Sequence, residues 1–256
     1  MNGDEIPGLW LLIFLASLLG LIIGSFLNVV IYRLPKGQSV VRPGSHCTVC
    51  GHELKPWELV PVLSYIFLKG RCAQCGQSIS LRYLVVELLT ALLFGLTVLL
   101  RPERPLLGLG IDLCFIALLI ALSFIDWDVF LLPDSLLLLV VLTGMANIAL
   151  TGQPDWWDGL AGALGAGGVF TLLAYLYPQG MGWGDVKLVA SLGLYLGVQG
   201  IFATIFLASA LGVLAGVLRI VILHKGFRDP IPFGPFLAAG ALMMLWTQPC
   251  LDRIFL

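Results

Sequence analysis

The longest apolar stretch of the sequence, at 186–223, reads VKLVASLGLYLGVQGIFATIFLASALGVLAGVLRIVIL. Within it only Lys187 and Arg219 are charged. A helix crosses a bilayer with about 20 apolar residues, so this stretch is too long for one ordinary span. Gly197 and Gly200 permit a tight backbone turn near its middle. We therefore expect two spans, at 186–198 and 201–223, that fold back on each other.

The composition agrees with a chain surrounded by lipid. Of 256 residues, 59% are hydrophobic and 11% are charged, whereas soluble proteins are about half apolar and about a quarter charged. The net charge is −1 and the basic residues are dispersed, which gives no reason to expect nucleic-acid binding. The first apolar run follows Asp4 and Glu5 and is too long for a signal peptide, so we interpret it as a membrane span.

Six further apolar segments are long enough, or nearly so, to cross a bilayer. The sequence therefore predicts an all-α, polytopic integral membrane helical bundle of about eight spans, or seven if one short segment is only re-entrant. These six segments lie at 9–32, 83–100, 106–125, 135–150, 160–177 and 236–246.

The basic residues predict the orientation of the chain, because cytoplasmic loops are enriched in lysine and arginine. Three arginines lie on one side of the predicted spans, namely Arg101, Arg104 and Arg253. Eleven basic residues lie on the other side, which we expect to be cytoplasmic. They are Arg33, Lys36, Arg42, Lys55, Lys69, Arg71, Arg82, Lys187, Arg219, Lys225 and Arg228.

The only long connection, at 33–82, contains two C-x-x-C pairs, formed by Cys47 with Cys50 and by Cys72 with Cys75. Two such turns can complete a closed, tetrahedral site for a structural zinc ion. A metal would also stabilise a loop too small to form a strong core. Disulfides, which are rare in the reducing cytoplasm, and a redox role are the alternatives. His46 and His52 flank the first pair, and we expect both to be bystanders.

A first group of acids, Asp126, Asp128 and Asp134, lies between two predicted spans. Ionisable residues at membrane depth are costly and are functional candidates. Asp126 directly follows an unbroken apolar run and is therefore the strongest candidate of the three. Asp128 could be an ordinary loop carboxylate in water. Asp134 follows Pro133 and could stabilise a helix N-terminus.

A second group reads GMGWGDVKL at 180–188. Gly182 and Gly184 allow a close backbone approach that side chains would block. Asp185 begins a predicted span, with Lys187 close by, on the side expected to hold Asp126. Two carboxylates brought together from different helices can share a proton and hydrolyse an amide bond. We therefore predict that Asp126 and Asp185 form a catalytic pair in a core at 83–256, with a first span at 1–32 and the metal-binding loop domain at 33–82.

Four other residues within apolar segments are weaker candidates. Glu87 could pair with Arg82 or line the site, or it could be a hydrogen-bonded structural acid. The same structural role is expected for Asp112. Cys114 and Cys250 are expected to be packed as small hydrophobes.

At these residues the chain resembles the prepilin peptidase family, whose members are leader peptidases and N-methyltransferases of type IV pilus and type II secretion systems. The resemblance covers almost the whole chain. Its glycine–aspartate motif also occurs in the wider class of intramembrane aspartic proteases. The matching features are GSFLNVVIYRLP at 24–35, the two cysteine pairs, Arg82-Tyr83 with Glu87, Asp126 with Pro133-Asp134, GWGDVKL at 182–188 and PFGP at 232–235.

The resemblance implies that Asp126 and Asp185 cleave prepilins and pseudopilins after a glycine, between a basic leader and a hydrophobic helix. It also implies that the new N-terminal residue is methylated with S-adenosylmethionine. The expected location is the bacterial cytoplasmic (inner) membrane, with the active site facing the cytoplasm.

Two alternatives belong to other functional classes. The acids Asp126, Asp128 and Asp185 could carry ions or protons in a transporter, although they cluster at one membrane face and transporter sites usually lie near the midplane. The chain could instead be a non-enzymatic assembly protein that docks through its cysteine loop.

Overall fold

The computed structural model describes residues 6–178, 180–223 and 231–255. Within these ranges the regular elements are helices and two isolated β-bridges in the cysteine loop. The eight α-helices are α1 (Ile6–Arg33), α2 (Leu63–Phe67), α3 (Leu81–Leu100), α4 (Leu106–Val129), α5 (Asp134–Thr151), α6 (Trp156–Leu176), α7 (Trp183–Leu223) and α8 (Gly234–Phe255).

Six of these helices, α1 and α3 to α7, are long and apolar enough to cross a membrane, and α8 contains a shorter apolar stretch at Gly234–Thr247. A helix satisfies its own backbone hydrogen bonds, and in a membrane it must do so because hydrocarbon offers no hydrogen-bonding partner. The prediction of an all-α, multi-pass membrane protein is therefore confirmed. Among the basic residues used to predict its orientation, Lys225 and Arg228 lie outside the described residues, as does the side chain of Arg253.

The chain divides into two compact units, Met1–Arg104 and Pro105–Leu256. In the first unit α1 packs along α3, and glycines of α1 allow this close approach. A Cβ at Gly20 would lie 2.6 Å from the Cα of Ala91, and one at Gly24 would lie 2.7 Å from the Cα of Glu87. Helix α3 therefore belongs with α1, whereas the sequence-based division assigned 83–100 to the peptidase core.

In the second unit α7 packs against α5, α6 and α8, while α4 packs against α5 and α8. Small residues again bring backbones together. A Cβ at Gly162 of α6 would lie 2.7 Å from the carbonyl oxygen of Gly193, and one at Gly167 would lie 2.9 Å from the Cβ of Ala190. Gly162 and Gly167 therefore serve close helix packing.

Helix α7 is sharply bent at Gly197, where the backbone leaves the helical region at φ 71° and ψ −176°. A straight α7 would separate residues 185 and 216 by about 46 Å. Yet a Cβ at Gly184 would lie 3.0 Å from Leu132, just beyond the end of α4, and a Cβ at Gly216 would lie 3.7 Å from Ile231, just before α8. Gly234 contacts Asp126 near that same end of α4. The second arm of α7, after Gly197, must therefore run back toward the start of the first arm, before Gly197. The predicted fold-back is confirmed, with Gly197 as its turn.

Asp158 of α6 stabilises this bend. The break in α7 leaves the main-chain N–H of Val198 without a helical partner, and the Oδ1 atom of Asp158 accepts it at 3.1 Å. The side chain of Asp158 also lies directly against the face where Gly197 lacks a Cβ. A polar group freed inside an apolar bundle is therefore satisfied by a neighbouring helix.

Several helix ends differ from the predicted span ends, because hydropathy marks the apolar part of a helix and not its backbone limits. Helix α4 continues through Asp126 and Asp128 and ends where Phe130 adopts a left-handed conformation at φ 54°. The expectation that Asp128 lies in a loop is therefore wrong. Helix α6 begins at Trp156, with Asp155 as its N-cap, four residues before the predicted span at 160–177.

We predict that Gly197→Ala destabilises the protein by about 2 kcal/mol, because alanine would occupy a left-handed conformation and meet Asp158. Thermal unfolding in detergent measures the effect. Gly165→Ala, where a Cβ meets nothing within 4 Å, is the matched control and should unfold like the wild type. Adding Asp158→Ala should relieve part of the Gly197→Ala penalty. Additive effects of the two substitutions would contradict the proposed turn.

Candidate active site and metal centre

Asp126 lies in the last turn of α4 and is only 6% exposed. Its neighbours at 127–130 are exposed, so the carboxylate alone turns into the second unit. Its Oδ2 atom accepts a hydrogen bond from the main-chain N–H of Gly234, at 2.9 Å. A carboxylate removed from water in this way needs such a partner.

Asp185 lies in the first turn of α7 and is partly buried. Its main-chain N–H donates to the carbonyl of Gly182 at 3.1 Å, which closes the turn that starts the helix. A Cβ at Gly184 would lie 3.0 Å from the Cβ of Leu132. Glycine at this position therefore lets the start of α7 approach the connection between α4 and α5.

The structure brings together the two helix ends that bear the aspartates. A Cβ at Gly184, beside Asp185, would lie 3.0 Å from the Cβ of Leu132, which follows Asp126 by six residues. Each aspartate also lies beside a helix N-terminus, because Gly234 is the first residue of α8 and Asp185 is in the first turn of α7. Two carboxyl groups in such an environment can share one proton, which leaves one as an acid and the other as a base.

Asp128, Asp134 and Lys187 have a different environment from this pair. Asp128 is exposed on the last turn of α4. Lys187 donates to the Oδ1 atom of Asp134 at 2.6 Å, and both side chains are largely exposed. Because Lys187 is two residues from Asp185, it points to nearly the opposite face of α7. Lys187 therefore bridges α5 and α7 on their outer surface.

Glu87 is a buried acid of the first unit and anchors the cysteine loop to α3. Its Oε2 atom accepts the main-chain N–H of Val62 at 2.7 Å, and Ser25 also hydrogen-bonds to the carboxylate. Val62 has a φ of 61°, which is rare for a β-branched residue and persists only where the surroundings hold it. Glu87 therefore fixes a strained point of the loop backbone, a role that the sequence did not reveal.

The four loop cysteines form a compact cluster. All four sulfur atoms lie within 4.8 Å of one another. Cys47 and Cys75 are 3.8 Å apart at their sulfurs, and Cys50 and Cys72 are 3.9 Å apart. Four sulfurs bound tetrahedrally at about 2.3 Å from one ion would be about 3.8 Å apart. The cluster can therefore hold a metal ion.

The two halves of this cluster are built alike. After each pair a glycine with φ +72°, Gly51 or Gly76, donates its N–H to the carbonyl of the first cysteine of that pair. The positive φ favours glycine and turns each C-x-x-C back on itself. The main-chain N–H groups of Cys50 and Val49 lower the pKa of the Cys47 thiol to about 6.

Both neighbouring histidines are engaged elsewhere, as predicted for bystanders. The Nε2 atom of His52 lies 3.1 Å from Glu58, and the Nδ1 atom of His46 lies 2.9 Å from the carbonyl oxygen of Gly44. The main-chain N–H of Lys55 is the main cause that lowers the pKa of the Glu58 carboxyl, with His52 adding to the effect. The carboxylate of Glu58 thus ties His52 to the turn at Pro56–Leu59.

Arg33 and Asn28 are two buried polar residues whose roles were not predicted. The Nδ2 atom of Asn28 donates to the carbonyl of Tyr83, at 3.1 Å, and so joins α1 to α3. Arg33 holds the segment that leads to the first cysteine pair. Its guanidinium donates to three main-chain carbonyls, those of Ser39, Pro43 and Gly44. The sequence signal for both roles is their position near the end of the first apolar run.

The remaining candidates have mixed outcomes. Asp112 is fully buried and accepts a hydrogen bond from the hydroxyl of Tyr195 at 2.6 Å, as expected for a structural acid. The expectation that Cys114 is packed is wrong, because it is exposed on α4, where an apolar side chain can face lipid. The side chain of Cys250 lies outside the described residues.

Comparisons with known proteins match both units. The bacterial peptidase A24 N-terminal domain matches residues 18–100, and the type IV leader peptidase family matches residues 113–217. Three relatives, each called prepilin leader peptidase/N-methyltransferase, come from Aeromonas salmonicida, Pseudomonas aeruginosa and Bacillus subtilis. They are 37%, 38% and 34% identical to this chain over 93%, 90% and 88% of its length, and over 91%, 88% and 90% of their own.

No solved structure matched the chain. The relatives nevertheless exceed one-third identity and cover nearly all of it. Both family matches fall within the compact units at 1–104 and 105–256. The chain therefore belongs to the type IV leader peptidase family.

Proposed function

We propose that this protein is an aspartic endopeptidase that removes the basic leader from prepilins and pseudopilins, with Asp126 and Asp185 as its catalytic pair. The observation that carries this proposal is the packing of the start of α7, which bears Asp185, against Leu132, just beyond the end of α4 where Asp126 is buried. Family membership supports the substrate class, because relatives that cover most of the chain are called prepilin leader peptidases.

The proposed reaction uses one carboxylate as a base and one carboxylic acid. The carboxylate takes a proton from water, whose oxygen attacks the scissile carbonyl carbon, while the acid hydrogen-bonds to the carbonyl oxygen. The amide C–N bond then breaks, and the leaving nitrogen receives a proton from the pair. Burial of Asp126 supports this chemistry because electrostatic interactions strengthen where water is excluded.

We further propose that the protein lies in the bacterial inner membrane and that the pair faces the cytoplasm. The loop at 33–82 and the short connections on its side carry most of the basic residues, and cytoplasmic connections have this bias. A substrate with a basic leader and a hydrophobic helix would then present its cleavage site at the membrane surface, at the depth of Asp126 and Asp185.

The metal at Cys47, Cys50, Cys72 and Cys75 is proposed to be a structural zinc ion. The sulfur spacing fits tetrahedral coordination, and four thiolates leave no open position for a substrate. Zinc would hold the two C-x-x-C turns together in a loop with little apolar core of its own.

Methylation of the newly exposed N-terminal residue is the second proposed activity, supported by the N-methyltransferase in the names of the relatives. S-adenosylmethionine would supply the methyl group. This half of the proposal rests on family membership, and we assign no residue to the donor.

We predict that Asp126→Asn and Asp185→Asn each reduce cleavage of a purified prepilin by at least about 1,000-fold, because an amide can neither accept the proton from water nor donate an acidic one. Processing is followed by gel shift with protein in detergent. Thermal unfolding of each variant reports whether the fold is retained.

Asp155→Asn is the matched control for these substitutions. Asp155 is an exposed N-cap of α6, and asparagine caps equally well, so this variant should cleave normally. Normal cleavage by either Asp126→Asn or Asp185→Asn would refute the catalytic pair. A wild-type protein that binds prepilin without cutting it would favour an assembly protein.

The orientation predicts that trypsin cuts the 33–82 loop in inverted membrane vesicles and spares it in right-side-out vesicles. Lys55, Lys69 and Arg71 are exposed and offer cleavage sites. Vesicles opened with detergent serve as the control, since the loop should be cut in both preparations. Cutting in sealed right-side-out vesicles would reverse the proposed orientation.

We predict about one zinc ion per chain in freshly purified, reduced protein, measured by elemental analysis. The double substitution Cys47→Ser and Cys50→Ser should abolish zinc binding, because it removes half of the ligands. Cys114→Ser, on the exposed surface of α4, should retain the metal. A zinc content near zero in the wild type would exclude the site.

A further inference from the structure

We propose that Gly234, the first residue of α8, is a positioning residue for Asp126. Its main-chain N–H donates to the Oδ2 atom of Asp126 at 2.9 Å in a buried contact that joins α4 and α8. This inference deepens the proposed function and rests on it, because it concerns how one member of the catalytic pair is held.

A side chain at position 234 would crowd Asp126. A Cβ at Gly234 would lie 2.7 Å from the Oδ2 atom of Asp126, 3.2 Å from its Cγ and 3.4 Å from its Cβ. All three nearest atoms belong to the aspartate, so its side chain would have to move to admit a methyl group. The PFGP sequence at 232–235 thus carries glycine where the carboxylate comes closest.

The local sequence also leaves the N–H of Gly234 available for this bond. The first N–H groups of a helix have no intrahelical partner. Phe236 and Leu237 both donate to the carbonyl of Phe233, while Pro235 has no N–H to donate. Gly234 therefore provides the remaining donor of the first turn, and it is directed at Asp126.

This bond also favours one oxygen of Asp126 for the reaction. Because Oδ2 already accepts from the backbone, rotation of the carboxyl group is restricted, and we expect Oδ1 to exchange the proton with water or Asp185. The donor belongs to the backbone of α8 in the second unit, so it holds the carboxylate more rigidly than a mobile side chain would. Reaction geometry of this kind is sensitive to displacements of about 1 Å.

Gly234→Ala should therefore lower kcat for prepilin cleavage by about 100-fold while KM stays near the wild-type value. Two matched variants separate positioning from packing. Gly240→Ala, on the same helix, introduces a Cβ 2.7 Å from the carbonyl oxygen of Thr204, whereas Gly110→Ala meets nothing within 4 Å. The first should lower the melting temperature but keep kcat per folded molecule, and the second should change neither. A Gly234→Ala protein with the kcat of Gly240→Ala would overturn the proposal.

A thermal-unfolding cycle tests the contact without measuring activity. Gly234→Ala should lower the melting temperature in the wild type and lower it much less in Asp126→Ala, where the opposing carboxyl group is absent. If Gly234→Ala alone does not fold, the double variant should recover the folded protein. Equal decreases in both backgrounds would overturn the positioning role. If the wild type cuts no prepilin, the proposed function fails, and the cycle still decides whether Gly234 is coupled to Asp126.

Discussion

The second unit depends on the reversal of α7 at Gly197. Because the second arm returns, α8 can begin beside the end of α4, and the N–H of Gly234 can meet Asp126. The reversal leaves a backbone donor at Val198 without a helical partner, and Asp158 accepts it. In hydrocarbon an unsatisfied backbone group costs several kcal/mol. The turn at Gly197 therefore depends on the carboxylate of Asp158.

The same rule of satisfied polar groups applies to the two acids of the second unit. Asp126 faces the first residue of α8, and Asp185 lies in the first turn of α7. Helix N-termini carry partial positive charge and stabilise nearby anions, which offsets the repulsion between the two carboxyl groups. In the first unit, the side chains of Glu87 and Arg33 hydrogen-bond to main-chain groups of the cysteine loop and so hold it in place.

The apolar spans, the turn at Gly197 and the sulfur cluster could be predicted because each depends on local composition or spacing. Helix limits could not, since the helical backbone continues past the apolar run, as α4 does through Asp128. The acids Asp126 and Asp185 stand out as candidates because they lie beside apolar runs. The partners of Glu87, Lys187 and Asp126, which are Val62, Asp134 and Gly234, could not be predicted. They are set by packing between residues far apart in the chain.

Mass spectrometry of a prepilin processed by the purified protein tests the central claim most directly. With S-adenosylmethionine present, we predict one cut, directly after the glycine that precedes the hydrophobic helix, and one added methyl group on the new N-terminus. Without the donor the cut should remain and the methyl group should be absent. A prepilin that stays uncut with folded, zinc-loaded protein would contradict the assignment of Asp126 and Asp185 as a peptidase pair.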